Sequence, residues 1–415
     1  MFKPRIGILH YTAPPVVGGV EAVIQAQASL FHRMEYPVSV VAGRGEASTL
    51  PPGTSLVLLP LLDSQHEEIL HINAYLDNGR VHPGFDSMVE KIAQALQPVV
   101  EELDHLIIHN VFTKHFNLAL TVALDRLIES GSICHAIVWC HDISWTSPSS
   151  RSKVFPGYPW DILRTYRSDV TYVTVSAHRQ KALAKLFECS LHKIHLIYNG
   201  VEPSSLLGLS PEGLRLADRL NLFGSSLILL MPVRVTRAKN IEYALHVVTA
   251  LKQEVSTKLV LTGPPDPHDP ENMRYFHSLL RLRQKLGVES EARFIFEEGY
   301  QPDEPYLITE RVVGDLFRLC DVVFMPSHRE GFGMPVIEAG LSGVPVICTD
   351  IPAAQEIGQK EVTIFSKEQS PSDVARVIIE IVEANPVSRF RRRVRQNYTW
   401  EALFQRQIEP ILKGQ

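Results

Sequence analysis

Two doubly wound α/β domains, each a parallel sheet with helices on both faces, form the fold class this sequence predicts. Short apolar runs rich in β-branched residues alternate with helical patterns along the whole chain. Unbroken apolar strands separated by helices are buried on both faces, which is the condition of a parallel sheet. The stretch 198–213, YNGVEPSSLLGLSPEG, is rich in Gly, Ser and Pro and divides one strand series from the next. A length of 415 residues supplies core for two or three domains.

The elements follow in order. Strand runs in the first half are RIGILHYT (5–12), YPVSVVAG (36–43), SLVLLPLL (55–62), HLIIHNV (105–111), HAIVWCHD (135–142) and VTYVTVSA (170–177). Amphipathic helices lie between several of them, as in 19–33 and 178–188. The second half gives SLILLMPVRV (226–235), KLVLTGPP (258–265), ARFIFEEG (292–299), DVVFMPS (321–327) and VPVICTD (344–350). The domain boundaries read as 1–202, 203–390 and a C-terminal helical segment 391–415 that packs back toward the first domain. Ligands of such sheets bind at the carboxyl ends of the strands. Two facing domains would enclose a cleft, so the post-strand segments carry the chemistry.

Composition excludes several classes. The hydrophobic share of 45% and charged share of 21% are those of a globular protein, and a net charge of −5 gives no basic field for nucleic acid. Cys134, Cys140, Cys189, Cys320 and Cys348 are scattered with no Cys-x-x-Cys, so neither a disulfide framework nor a zinc ribbon is indicated. A reducing cytoplasm is the expected location. Lys3 and Arg5 precede a short apolar run that meets Pro14 and Pro15, which reads as a first strand. No run reaches the roughly 18–20 apolar residues of a membrane span. RFRRRVRQ (389–396) places Arg389, Arg391, Arg392, Arg393 and Arg395 together, either as a solvated helix face or as a contact with anionic lipid.

Four post-strand segments could carry chemistry. In PPVVGGVEAVIQAQ (14–27), Gly18 and Gly19 open a helix, which suits either a phosphate near free N–H groups or a tight turn. In MPVRVTRAKNIEYAL (231–245), Arg234 and Lys239 flank a strand-to-helix junction, as a phosphate clamp or as surface charge. In WCHDISW (139–145), His141 is a structural hydrogen-bonder or a group aimed at a sugar hydroxyl, with Trp145 as an apolar platform. His109, Asn110 and Lys114 of HNVFTKH could line an acceptor pocket. The fourth is SHREGFGMPVIEAG (327–340). Glu330 sits in a post-strand loop, Gly331-Phe332-Gly333 turns the chain, and Pro335 suits the first turn of a helix over about 336–341 that carries Glu338. Two unpaired carboxylates with helix N–H groups between them suit a polyol. PPDPHDPEN (264–272) holds Asp266, His268, Asp269 and Glu271, but its prolines read as a rigid exposed loop rather than a metal site.

EGFGMPVIE resembles the Glu-x7-Glu motif of glycosyltransferase family 4, retaining enzymes of the GT-B fold. Gly18-Gly19-Val20-Glu21 is similar to that family's Gly-Gly loop, VRVTRAKN to its Arg-x4-Lys clamp, YNGVE to its linker entry and YTWE (398–401) to its C-terminal element. The resemblance implies a nucleotide sugar held mainly by the second domain. Glu338 would hold the ribose, and Glu330 with the backbone of Phe332, Gly333 and Met334 the transferred sugar. Arg234 and Lys239, aided by Gly19, would neutralise the leaving diphosphate in place of a metal, so no cofactor is expected. His141 would contact the sugar. Departures are Val233 where the family has a glycine before the arginine, and Asn240 where it has one after the lysine.

The leading expectation is a hexosyltransferase using a UDP-glucose or GDP-mannose type donor and a small anionic acceptor, such as a sugar phosphate or a glycerate-type glycoside. Acceptor choice would reside in 61–88, 113–117 and 144–164, where Arg151, Lys153 and Arg164 either grip an acceptor anion or are solvated. The competing expectations are a membrane-surface transferase acting on a lipid or polysaccharide precursor, and a non-catalytic nucleotide-sugar-binding module.

Overall fold

A computed structural model describes residues 3–265, 271–299 and 305–414. The chain divides into two compact units, the first running to Gly200 and resuming at Trp400, the second spanning Val201–Thr399. The expected boundaries shift accordingly. The helix Pro386–Asn397 belongs to the second unit, and the segment from Trp400 onward joins the first. There Trp400, Leu403, Phe404, Ile408 and Leu412 enter a core with Ile24, Phe31 and Tyr36.

The first unit has seven strands: β1 (Ile6–Leu9), β2 (Val38–Ala42), β3 (Ser55–Leu58), β4 (His105–His109), β5 (Ala136–Cys140), β6 (Val170–Thr174) and β7 (Ile194–Leu196). They pair in parallel in the order β3-β2-β1-β4-β5-β6-β7. The second has six: β8 (Leu227–Met231), β9 (Thr257–Leu261), β10 (Ala292–Phe294), β11 (Val322–Met325), β12 (Val346–Thr349) and β13 (Thr363–Phe365). Their order is β10-β9-β8-β11-β12-β13, again all parallel. Both units are therefore the Rossmann-like, doubly wound sheets that the sequence predicts. β7 and β13 lie outside the runs read from the sequence; each is three residues long.

The cores explain the unbroken apolar strands. Alternate side chains of one strand point to opposite faces. In β5, Ala136, Val138 and Cys140 enter one cluster while Ile137 and Trp139 enter the other. In β8, Leu227, Leu229 and Met231 face one layer of helices and Ile228 and Leu230 the other. Each Val, Ile, Leu or Met among them contributes about 1.5–3 kcal/mol by leaving water. Strand order also fixes where ligands can enter. It reverses between β1 and β4 in the first sheet and between β8 and β11 in the second. At such a reversal the helices that follow the two strands pack on opposite faces of the sheet, and ligands of these folds bind at the carboxyl ends between them.

The arginine-rich helix Pro386–Asn397 is largely structural. Arg395 is buried against Asp321 at 2.6 Å, and Arg392 bonds the Ser226 carbonyl at 2.7 Å and Glu383 at 2.6 Å. Arg391 is partly buried beside Asp321, and burial lowers its pKa from the usual guanidinium value. Arg389 and Arg393 are exposed. Among the described residues, no helix is long and apolar enough to cross a membrane.

Candidate active site

The second unit gathers charge where its strand order reverses. Past β8 the chain passes Arg234 and makes a 3-10 turn, Arg237–Lys239. Asn240 then adopts φ 51°, ψ 50° before the helix Ile241–Leu251. Asparagine is among the few residues other than glycine that tolerate this left-handed conformation, so it can form the turn. Past β11, the loop runs through Ser327 and Glu330 to Gly333, at φ 91°, which opens the helix Met334–Ser342. That helix begins two residues earlier than the sequence suggests, because Pro335 fits its first turn. Gly343, at φ 68°, follows its end.

β8 and β11 are neighbours, so the two loops meet. His328 N–H donates to the Ala238 carbonyl at 2.8 Å. Lys239 Nζ lies 2.5 Å from Glu330 Oε2, with the side chains 19% and 7% exposed. Ser327 Oγ donates to Glu330 Oε1 at 2.6 Å, and Thr349 Oγ1 in turn holds the Ser327 carbonyl. Both oxygens of Glu330 are thus occupied, which corrects the expectation of two unpaired carboxylates. Val336 N–H is also spent, on the Gly333 carbonyl at 2.9 Å. That leaves the backbone of Phe332, Gly333 and Met334 as the donor surface of the turn. Phe332 and Met334 are 56% and 52% exposed. Glu338 is half-buried on the helix. Beside this loop a cavity of about 390 Å³ is lined by Glu330, Phe332, Asp350, Ile351, Ile357 and Lys367 among others.

The Arg234 loop rests on Gly263. A Cβ there would stand 2.4 Å from the Val233 carbonyl oxygen and 2.7 Å from Arg234 Cα. Gly263→Ala is expected to displace this loop and to cost about 1–3 kcal/mol by overpacking. An unchanged melting temperature would show that the loop yields freely.

The first unit gathers histidines at its own reversal. His10 follows β1, His109 ends β4 and His141 follows β5. His10 Nδ1 donates to the His109 carbonyl at 3.0 Å, and its Nε2 lies 3.9 Å from Glu21 Oε1, which Thr12 Oγ1 also meets at 2.5 Å. His109 Nδ1 is 3.0 Å from His141 Nε2, and His109 Nε2 is 3.0 Å from Gln27 Oε1. Sequence reading missed His10, Glu21 and Gln27. His10 could have been found by its place just past β1; Gln27 carries no local signal.

Several expected acceptor residues are placed otherwise. His109 is fully buried behind His141 rather than lining a pocket. Asn110, at φ 62°, accepts from the N–H groups of His141 and Asp142 at 2.9 and 3.2 Å, so it shapes their turn. Lys114 is 7% exposed, with Nζ 3.4 Å from Ser150 Oγ and 4.6 Å above the Phe116 ring, and burial lowers its pKa. Trp145 is no open platform; it is buried with Arg151 and Arg164 over its ring at 4.8 and 4.4 Å. Lys153 pairs with Asp77 at 2.8 Å and Arg164 with Asp161 at 2.8 Å. These cations pack the 144–164 loop onto itself and onto 61–88. Gly18 is extended, at φ −168°, and precedes the helix Gly19–Arg33, where Gly19 faces open space. Of the possible metal segment, Asp266, His268 and Asp269 lie outside the described residues; among the described residues no group of three or more His, Cys, Asp or Glu could hold a metal ion.

Burial keeps the histidines neutral. Desolvation pushes His109 well below the usual imidazole range, with His141 and His10 adding to the fall. It lowers His10 likewise, against Glu21, and takes His141 down to about 4, against Asp142. His115, beside Lys114, is also lowered to about 4. A depressed pKa means that the unfolded chain binds more protons than the folded one below pH 6.5. Stability is therefore full above about 6.5 and is lost as pH falls toward about 4. His141 alone is worth on the order of 3 kcal/mol over that window. The melting temperature is expected to drop between pH 7 and pH 5, and less in His141→Asn; a flat profile would contradict the neutral cluster.

Two Rossmann-like units, each an all-parallel sheet with polar groups past the carboxyl ends of its strands, are the architecture of the GT-B fold. Residues 215–399, most of the second unit, match the family model Glycosyl transferases group 1. The chain is 23% identical to a mannosylglucosylglycerate synthase of Petrotoga mobilis, over 90% of this chain and 89% of that one. It is 27% identical to a D-inositol 3-phosphate glycosyltransferase of Stackebrandtia nassauensis, over 43% and 38%. Among solved structures, Anabaena Alr3699/HepE in complex with UDP-glucose is 17% identical, with 99% and 100% of the chains covered and a TM-score of 0.37.

Proposed function

We propose that this chain is a retaining hexosyltransferase that uses a UDP-glucose or GDP-mannose type donor and a small anionic acceptor, a glycerate-type glycoside or a sugar phosphate. The observation that carries the reading is the Lys239–Glu330 pair at 2.5 Å. It holds, within one hydrogen bond, a cation suited to a leaving phosphate and a carboxylate suited to sugar hydroxyls. Glu330 and the backbone of Phe332, Gly333 and Met334 take the sugar, and Glu338 takes the ribose. Lys239 and Arg234 stabilise charge as the diphosphate departs, with Gly19 adding backbone donors and without a metal. His141 contacts the transferred sugar. The name and near-full coverage of the Petrotoga relative support the glycerate-type acceptor.

A panel of UDP-, GDP- and ADP-sugars tests this, read by thermal shift and donor hydrolysis. Acceptors are then screened with the winning donor, and the product's anomeric configuration is read by NMR. No response to any nucleotide sugar would sink the reading, and an inverted anomer would sink retention. A lipid or polysaccharide acceptor now has only Arg389 and Arg393 exposed on the arginine-rich helix. Co-flotation with anionic liposomes would favour it.

A further inference from the structure

Gln27 has no part in the function proposed above, yet it is completely buried, on the face of its helix that also buries Val23, Ile24, Leu30 and Phe31. A primary amide in an apolar interior costs free energy unless its atoms are hydrogen-bonded. Gln27 Nε2 has no partner among the described residues, while Oε1 meets His109 Nε2 at 3.0 Å. The amide is thus placed for one contact, and that contact is with a histidine ring.

Proton counting along the chain gives the consequence. A neutral imidazole carries one N–H, on one nitrogen or the other. An amide oxygen only accepts, so His109 must donate from Nε2, and its Nδ1 is then bare. The 3.0 Å contact between His109 Nδ1 and His141 Nε2 therefore takes its proton from His141. His141 is left with an unprotonated Nδ1. Turning the Gln27 amide over would reverse each step and give His141 an Nδ1–H. His10 stands outside this sequence, because it donates from Nδ1 to the His109 carbonyl, an obligate acceptor. Burial favours the neutral form in all three rings, so each carries a single proton near pH 7.

We propose that Gln27 is a positioning residue that sets the tautomer of His141 through His109, so that His141 presents a hydrogen-bond acceptor at Nδ1. A bare ring nitrogen takes a hydrogen bond from a hydroxyl; an N–H would instead give one. The consequence for catalysis rests on the sugar contact proposed for His141, but the tautomer itself does not.

The test uses the full chain labelled with ¹⁵N-histidine, read by long-range ¹H–¹⁵N correlation at pH 7.5, with resonances assigned through His109→Asn and His141→Asn. His109 and His141 are expected as Nε2–H tautomers and His10 as Nδ1–H. In the near-isosteric Gln27→Met, His109 and His141 should become mixed or inverted together while His10 stays put. An Nδ1–H His141 in the wild type would overturn the proposal, and that spectrum decides even if the variant fails to fold. So would a His141 that keeps its tautomer in Gln27→Met. With a donor and acceptor identified, Gln27→Met should lower kcat about tenfold and leave the donor KM within about twofold, the scale of one hydrogen bond. If no nucleotide sugar is ever used, the kinetic arm is void and the tautomers alone decide, so the two readings fail separately.

Discussion

Lys239→Ala is expected to lower turnover by about a hundredfold to a thousandfold, the scale seen when one preorganised donor to developing charge is removed. The rise in KM for the nucleotide sugar should be under about tenfold, because in the proposed role the lysine's contribution would grow as the phosphate takes up negative charge and be small in the ground state. The environment supports so large an effect. Lys239 is 19% exposed, so its charge is poorly screened, and it sits on a 3-10 turn tied to the β11 loop by the His328–Ala238 hydrogen bond. The substitution also strands Glu330, 7% exposed, with Ser327 as its remaining partner. Lys239→Arg separates the two consequences: it keeps the positive charge against Glu330 but changes a compact ammonium into a fork. It should restore most of the melting temperature and only part of the turnover. Steady-state kinetics with calorimetric binding of the nucleoside diphosphate provide the check. Equal losses in kcat and in affinity would reduce Lys239 to simple binding, and unchanged turnover would remove it from the chemistry.

That pair was invisible in the sequence, although both partners stood out there. Lys239 and Glu330 are 91 positions apart, and only the strand order places their loops side by side. The turn itself was legible. Gly333 and Gly343 take the positive φ values that glycine permits, and Pro335 falls in the first helical turn. The strands were legible because the inner strands of each sheet are buried on both faces, which leaves continuous apolar runs; β7 and β13 are edge strands with an exposed residue, His195 and Ile364, at their centres. The acceptor side misled for the opposite reason. Arg151 and Arg164 look like anion ligands until Trp145 is seen beneath them, and Lys153 until Asp77 is seen beside it. Charge type is written in the sequence, but whether a charge is already spent depends on what the topology brings next to it. Gln27 is the extreme case: nothing near it in sequence predicts a histidine partner 82 positions away.

Arg395→Met is expected to lower the stability of the second unit by about 3–5 kcal/mol, the cost of removing one partner from a buried ion pair. Arg395 and Asp321 are 6% and 0% exposed at the side chain. The guanidinium donates to both carboxylate oxygens, at 3.1 and 2.6 Å, and to the carbonyls of Ser225, Ser226 and Leu319 at 3.3 Å. Asp321 also accepts from the Ile228 N–H at 2.8 Å, so it cannot swing out to water without losing that bond as well. Methionine fills the volume of the stem and leaves the carboxylate buried without its counter-charge. In a unit of this size that loss is worth a fall in melting temperature of about 10 °C. The position of the pair makes the outcome specific. Asp321 and Ile228 lie at the amino ends of β11 and β8, whereas Glu330 and Lys239 follow the carboxyl ends of the same two strands. At a temperature where the variant remains folded, kcat and KM should therefore match the wild type. Arg395→Met/Asp321→Asn should recover part of the loss, because the second change removes the stranded charge. A single variant that melts within about 1 °C of the wild type would show that solvent reaches Asp321 and that the helix Pro386–Asn397 is held by its apolar contacts instead. A variant that is stable but slow would tie this end of the sheet to the chemistry at the other.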